Sequence, residues 1–176
     1  MSFSRTPLVA AVAAVFLAAA PASAQNLAAS DPAGDASGPG LDITRVVYRN
    51  LDHRVVARVR FAAAVPGDLI VSVDPRGGTG LRLVSQYRPH RTTTSFVLHG
   101  AFSDGRTQPV VSCPRFQVTW DRAADRAILR MPSTCLHHGN FGAVRFGVLT
   151  EEARGGGDTD YAPGDPSQTT AWVPRG

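Results

Sequence analysis

The sequence predicts an all-β fold: an antiparallel β-sandwich of jelly-roll-like form with about nine or ten strands and one disulfide, a closed β-barrel being the alternative. Three observations carry that prediction. Short β-branched and aromatic runs recur along the chain, separated roughly every 8 to 12 residues by Gly, Pro, Asp and Asn turn signals. Beyond the first 24 residues no stretch has the 3.6-residue apolar period of an amphipathic helix. Two cysteines, Cys113 and Cys135, complete an even inventory that one crosslink satisfies.

The N-terminus sets the compartment. Arg5, the apolar run Leu8 to Ala20 and the small-residue site Ala22-Ser23-Ala24 have the three-part layout of a signal peptide over residues 1–24, and cleavage after Ala24 is expected. The apolar run is shorter than the ~20 residues of a membrane-spanning helix, and Pro21 interrupts it, so no membrane anchor is expected. Gln25 would then begin the mature chain, where a lipoprotein needs cysteine. The expected product is secreted, extracellular and monomeric. It has an irregular lead-in over 25–40, rich in Ala, Ser, Gly, Pro and Asp, and a single β-sandwich domain over 41–176. All 18 basic residues are arginine, against 14 acidic residues, and loss of Arg5 lowers the formal charge from +4 to +3. With no long basic run, nucleic acid is not an expected partner.

From Asp42 onward each element follows from its own pattern. Ile43 to Arg49 is β-branched and aromatic, and Asn50-Leu51-Asp52-His53 joins it to Arg54–Phe61 as a hairpin. There Val55, Ala57, Val59 and Phe61 alternate with Arg54, Val56, Arg58 and Arg60, the period of two that half-buries a strand. Leu69, Val71 and Val73 repeat the alternation after Pro66-Gly67. The glycine-rich segment Pro75 to Gly80 is a turn; it lacks the lysine and hydroxyl of a phosphate-binding loop. Strands are expected at Leu81–Tyr87, Thr93–His99, Pro109–Cys113, Phe116–Asp121, Arg126–Met131 and Ala143–Leu149, and a short one at Thr170–Val173. Arg122 to Asp125 turns the hairpin in which Val118 and Trp120 oppose Ala127 and Leu129. Residues 151–168 are Gly/Asp/Pro-rich and are expected to be irregular. An oxidising compartment pairs Cys113 with Cys135, closing a loop of about two dozen residues across the open end of that hairpin, at about 3 kcal/mol in the chain-entropy model.

Several short motifs carry a resemblance. Asp31-Pro32-Ala33-Gly34-Asp35, Gly38 to Ile43, Ser72-Val73-Asp74, Pro132 to Leu136, and Asp158 to Pro163 with Trp172 resemble a set of small secreted actinobacterial proteins. Through these the chain resembles family-9 carbohydrate-binding and DOMON-type β-sandwiches. The resemblance implies a jelly-roll-like sandwich, a structural calcium, and in some members a sugar or haem site. Haem ligation by Met and His does not suit a mature chain whose one methionine, Met131, sits in an apolar strand.

The candidate ligand sets follow. Asp31, Asp35 and Asp42 near one end of the domain, with Asp158 and Asp160 from the far end of the chain, supply the hard oxygens that a calcium ion takes. The plainer reading has Asp31 and Asp35 starting turns. Pro163 stands where an EF-hand loop needs glycine, so a calcium site must be assembled from distant segments. Tyr161 and Trp172 are the candidate aromatic platform for an extracellular glycan, and Tyr87 is a third ring expected near the surface; Trp120 is expected in the core. His137-His138, with His99 or His53, offers nitrogen ligands only if held in a loop, and an exposed polar loop is the plainer reading. Glu151-Glu152, Ser112 and Ser133 lack the spacing of a glycosidase or a nucleophile elbow, so no catalytic residue is assigned. The reading is a secreted non-enzymatic binding or structural module. A cell-envelope protein–protein interaction domain and a small hydrolase with an unrecognised site are the alternatives.

Overall fold

The computed structural model describes residues 26–102, 107–153, 157–166 and 168–176; the expected signal peptide, 1–24, lies outside the described residues. In chain order the strands are β1 (Asn26–Ser30), β2 (Ile43–Leu51), β3 (Arg54–Phe61), β4 (Gly67–Pro75), β5 (Leu81–Tyr87), β6 (Thr94–His99), β7 (Val110–Val111), β8 (Gln117–Asp121), β9 (Arg126–Pro132), β10 (Val144–Glu152) and β11 (Asp158–Ala162). They form two antiparallel sheets, ordered β1-β2-β3-β9-β8 and β11-β10-β4-β5-β6-β7. Both sheets keep open edges, so the fold is a sandwich and the barrel alternative is set aside. Among the described residues no helix is long and apolar enough to cross a membrane.

Period-two alternation builds the core as the sequence implies. Val55, Ala57 and Val59 of β3 are fully buried, while Arg54, Arg58 and Arg60 between them are exposed. Leu69, Val71 and Val73 of β4 face them from the second sheet with Leu83 and Phe146. Tyr48 stacks on Phe146 across the two layers, ring centroids 4.6 Å apart. Each such side chain contributes about 2 kcal/mol by leaving water. In β2 a bulge between Ile43 and Arg45 shifts the register, which puts Ile43, Val46 and Tyr48 inside and Arg45, Val47 and Arg49 outside.

Trp120 is half-buried, as a core residue, between Tyr87 (4.0 Å) and Phe61 (5.5 Å), and its indole N–H donates to Ser85 Oγ at 3.0 Å. Tyr87, expected near the surface, is only 5% exposed because Trp120 covers it. The expected β8–β9 hairpin forms, and its register pairs Val118 with Leu129 and Trp120 with Ala127. Its turn is capped by Asp121 Oδ1 accepting from Ala124 N at 3.2 Å, and closed by Asp125 in the left-handed region (φ 44°). Cys113 and Cys135 are bonded, with Cα atoms 5.3 Å apart, across the open end of that hairpin.

Two segments differ from the sequence reading. The lead-in over 25–40 is not wholly irregular: β1 pairs with β2 from Asn26–Arg49 to Ser30–Arg45, with Leu27 and Ala29 packed against the core. Alanine and serine have poor strand propensity, but the free edge of nine-residue β2 supplies the hydrogen-bond ladder. In the second segment, Asp158–Ala162 is strand β11 on the edge of β10, whereas Thr170–Val173 adds only an isolated bridge, Val144 to Val173. Gly/Asp composition masked β11, whose Thr159, Asp160 and Ala162 are all buried.

Candidate functional site

The acidic residues meet where the sandwich opens at its side, between β2 of one sheet and β11 of the other. The chain leaves β1 with the Asp31 amide bonded to Thr44 O (3.1 Å) and turns at Gly34 (φ 88°), a left-handed position that suits glycine. Gly34 N donates to Asp42 Oδ2 at 2.7 Å, which ties the turn to the start of β2. Further on, Ser37 N donates to Thr159 O at 2.7 Å, and Gly40 presses so closely on β11 that a Cβ there would lie 2.4 Å from the Thr159 side chain. Below the surface Thr150 Oγ1 donates to Leu41 O (2.7 Å) and pairs with Thr159 Oγ1 (2.8 Å). Residues 31–42 therefore lace the two sheets together, and this lacing brings Asp31 and Asp35 to Asp160.

Carboxylate oxygens of Asp31, Asp35 and Asp160 lie within 4.8 Å of one another. Asp160 is fixed by two backbone donors, Ile43 N to Oδ2 (2.5 Å) and Tyr161 N to Oδ1 (2.7 Å). Asp31 Oδ2 and Asp42 Oδ1 are buried atoms with no hydrogen-bond partner. Burial, with the charges of Asp160 and Asp35 next in size, pushes the Asp31 carboxyl up to about 6, although a backbone bond from Gly164 opposes the shift. Burial likewise raises Asp160, offset in part by the Ile43 and Tyr161 amides. Oxygens arranged around one calcium ion at 2.3 to 2.6 Å are separated by at most about 5 Å, so the spacing and the two orphaned oxygens suit that ion. Asp158, the fifth residue expected in the set, is placed elsewhere: its carboxylate accepts from the Tyr161 hydroxyl.

The candidate rings lie along the outer face of the six-stranded sheet. Tyr161 sits beside Leu149, and Trp172 is half-exposed against Arg76 and Arg145, whose guanidinium carbons are 5.0 and 5.3 Å from its ring centre. Arginine thus covers part of the surface a sugar would use. Tyr161 borders a depression of about 260 Å³ with the exposed ring of Phe102 and with Arg82, whose buried Nε lacks a partner. Gly147, with no side chain, leaves its floor open. Burial and the Asp158 hydrogen bond push the Tyr161 phenol up to about 12. Sequence reasoning missed Arg82 and Phe102; the outward alternation Arg82, Val84, Gln86 in β5 was the available signal for the first.

His99, His137 and His138 line another depression, of about 450 Å³, together with Ser112. His137 Nε2 is engaged with Thr79 O at 2.9 Å, and His137 and His138 occupy left-handed turn positions. Among the described residues, the trio of Asp31, Asp35 and Asp160 is the group of three potential ligands that converges. His53 stands apart, beside Pro132 and Ser133. Of the carboxylates read against a glycosidase, Glu151 is raised by burial and by neighbouring Asp158 and Asp68. No protein-family model matches the chain, and no curated protein is significantly similar to it.

Proposed function

We propose that the protein is a non-enzymatic binding module for the cell exterior whose sandwich is fastened by one calcium ion held by Asp31, Asp35 and Asp160, with Asp42 completing the oxygen set. The observation that carries this reading is the convergence of three carboxylates within 4.8 Å, one of which, Asp31, has a buried oxygen without a partner, as does neighbouring Asp42. Unscreened carboxylates this close repel by several kcal/mol at low effective dielectric, and a divalent cation reverses the sign of that interaction. The ion's chemistry is structural: it neutralises the cluster, and the chain's own residues then hold the lead-in against β2 and β11. Titration calorimetry with calcium tests the proposal. Saturable one-site binding is expected, weakened at least tenfold in Asp35→Asn, an exposed position whose change leaves the core intact. A chain that shows no saturable binding up to about 10 mM calcium, beyond the range of weak extracellular modules, overturns it.

A second reading concerns the ligand. A glycan in the groove beside Tyr161 is favoured by the pairing of two rings, Tyr161 and Phe102, with an unpartnered guanidinium N–H on Arg82. Saturable binding on a neutral-glycan array, lost in both Tyr161→Ala and Arg82→Ala, supports it. Binding that survives both changes removes the groove as the site.

A further inference from the structure

We propose that the outer face of the five-stranded sheet is a binding track for a linear anionic polysaccharide, one bearing carboxylates or sulfates along its length. The registers set out the track row by row. Arg45, Arg60 and Arg126 stand side by side across β2, β3 and β9. Two residues along, Arg58 stands between Val47 and Ile128; the next row carries Arg49 and Arg130 on either side of Val56; in the last, Arg54 lies between Leu51 and Pro132. Rows two residues apart are about 7 Å apart along the strands, so seven arginines cover a run of about 20 Å.

Three contiguous depressions follow this run. One of about 270 Å³ holds the first row and Arg58, a second of about 620 Å³ continues past Arg58 to Arg54 and Arg130, and the largest, about 740 Å³, takes these two on to Arg115 beyond the sheet. Shared arginines link each depression to the next, so the surface offers one path rather than isolated pits.

Charge pairing separates this face from the rest of the molecule. Asp121 is the one carboxylate among the strand residues of this face, and Arg126 takes it at 2.7 Å. Arg45, Arg49, Arg54, Arg58 and Arg60 make no ion pair among the described residues, and all five are exposed. On the other side of the molecule Arg145 of β10 is matched with Asp74 at 2.6 Å and Arg88, just beyond β5, with Asp68 at 2.7 Å, which leaves Arg82 as the strand arginine of the six-stranded sheet without an ion pair among the described residues. Arginine-rich composition alone would not sort unpaired cations onto one face; the strand alternation does.

The chemistry of the face selects the occupant. Guanidinium groups take carboxylate or sulfate through two parallel hydrogen bonds, and the rows present them at successive steps along one direction. No aromatic ring stands among the outward residues of β1, β2, β3, β8 and β9, so the face lacks the stacking platforms of a single-strand nucleic-acid site and the interfacial Trp or Tyr that seats a protein in a bilayer.

Affinity electrophoresis and calorimetry with polygalacturonate, at low salt and with chelator present so that the calcium site plays no part, test the proposal. Binding is expected for polygalacturonate but not for dextran, weakening steeply with added salt. Arg58→Gln/Arg60→Gln should lose at least tenfold in affinity, whereas Arg76→Gln/Arg91→Gln, the same charge change placed off this face, should lose less than twofold, with melting temperatures reporting that both variants fold. Equal loss in the two variants reduces the effect to net charge and overturns the proposal. So does failure to bind polygalacturonate above dextran, or tighter binding to duplex DNA or to phosphatidylserine vesicles than to the polyuronate.

Discussion

Calcium removal and acidification should act on the same four carboxylates, and their combined effect on stability follows from Asp31. Its folded-state pKa, about 6, stands above the ordinary value of 3.8, so between these values the folded chain holds a proton that the unfolded chain has lost. In the calcium-free protein, stability from this group is therefore complete below pH 3.8 and disappears as pH rises through about 6. The full shift would be about 3 kcal/mol, but the carboxyl is only partly buried, and solvent screening leaves about 1 kcal/mol. Asp160, raised for the same reason, acts in the same direction. At the proposed site calcium would compete with the Asp31 proton. At pH 7.5 and 100 times Kd the ion stabilises by about 2.7 kcal/mol, or about 5 to 10 °C in Tm for a domain of this size. At pH 5 Asp31 is protonated about ten to one, affinity falls about tenfold, and the same calcium concentration stabilises by about 1.4 kcal/mol, half the shift. Scanning calorimetry in calcium and in chelator at both pH values measures the four melting temperatures. A calcium-dependent shift as large at pH 5 as at 7.5, or none at either, refutes the reasoning, and Asp31→Asn should flatten the chelator-only pH dependence.

The remaining predictions concern the frame around the site. Replacing Cys113 and Cys135 by alanine opens a loop spanning a sequence separation of 22 and should cost about 3 kcal/mol in urea unfolding; a loss under about 1 kcal/mol would mean that the β8–β9 hairpin is held by its strand pairing alone. Phe146→Ala should cost about 3 to 5 kcal/mol by the same measurement, because the ring is fully buried against Tyr48, and Phe146→Leu should recover most of that loss. Amide hydrogen exchange should quicken at Leu27–Ser30 when calcium is chelated, while β3 and β4 stay protected, since β1 has β2 as its sole strand neighbour and is anchored by the Asp31 turn.

Where one period dictated burial, the fold was legible in the sequence. In β3 strict alternation named the buried side chains, in β4 it named Leu69, Val71 and Val73 but not Asp68 and Ile70, which are buried on the other face, and the hairpin around Arg122–Asp125 was legible from its polar turn flanked by apolar residues. Strands whose side chains bury little or whose composition is turn-like were not. β1 offers Leu27 and two alanines, and it exists because β2 has a free edge, a property of the assembled sheet rather than of residues 26–30. The bulge at Ile43–Arg45 is a second case: a uniform period of two would put Ile43 and Arg45 on the same face, and the extra residue sends them to opposite ones.

The candidate site shows the same division between local and assembled information. That acids from the two ends of the domain could meet was readable from their clustering; which of them meet was not. Asp158 and Asp160 differ by two positions and should share a face of β11, yet the irregularity between Thr150 and Glu151 turns Asp160 inward to the Ile43 amide and leaves Asp158 outward on Tyr161. One register shift in an edge pair thus separates a member of the acidic cluster from a groove residue. The arginine track depends on the bulge in β2 in the same way. With Ile43 held in the core and no bulge, Arg45 would turn inward and Val46 into solvent, and the row Arg45, Arg60, Arg126 would lose its first member. Burying an unpaired guanidinium costs several kcal/mol, so the bulge is what lets Ile43 be buried while Arg45 stays in solvent. The same local irregularity that lets the core close therefore sets the charge pattern outside it.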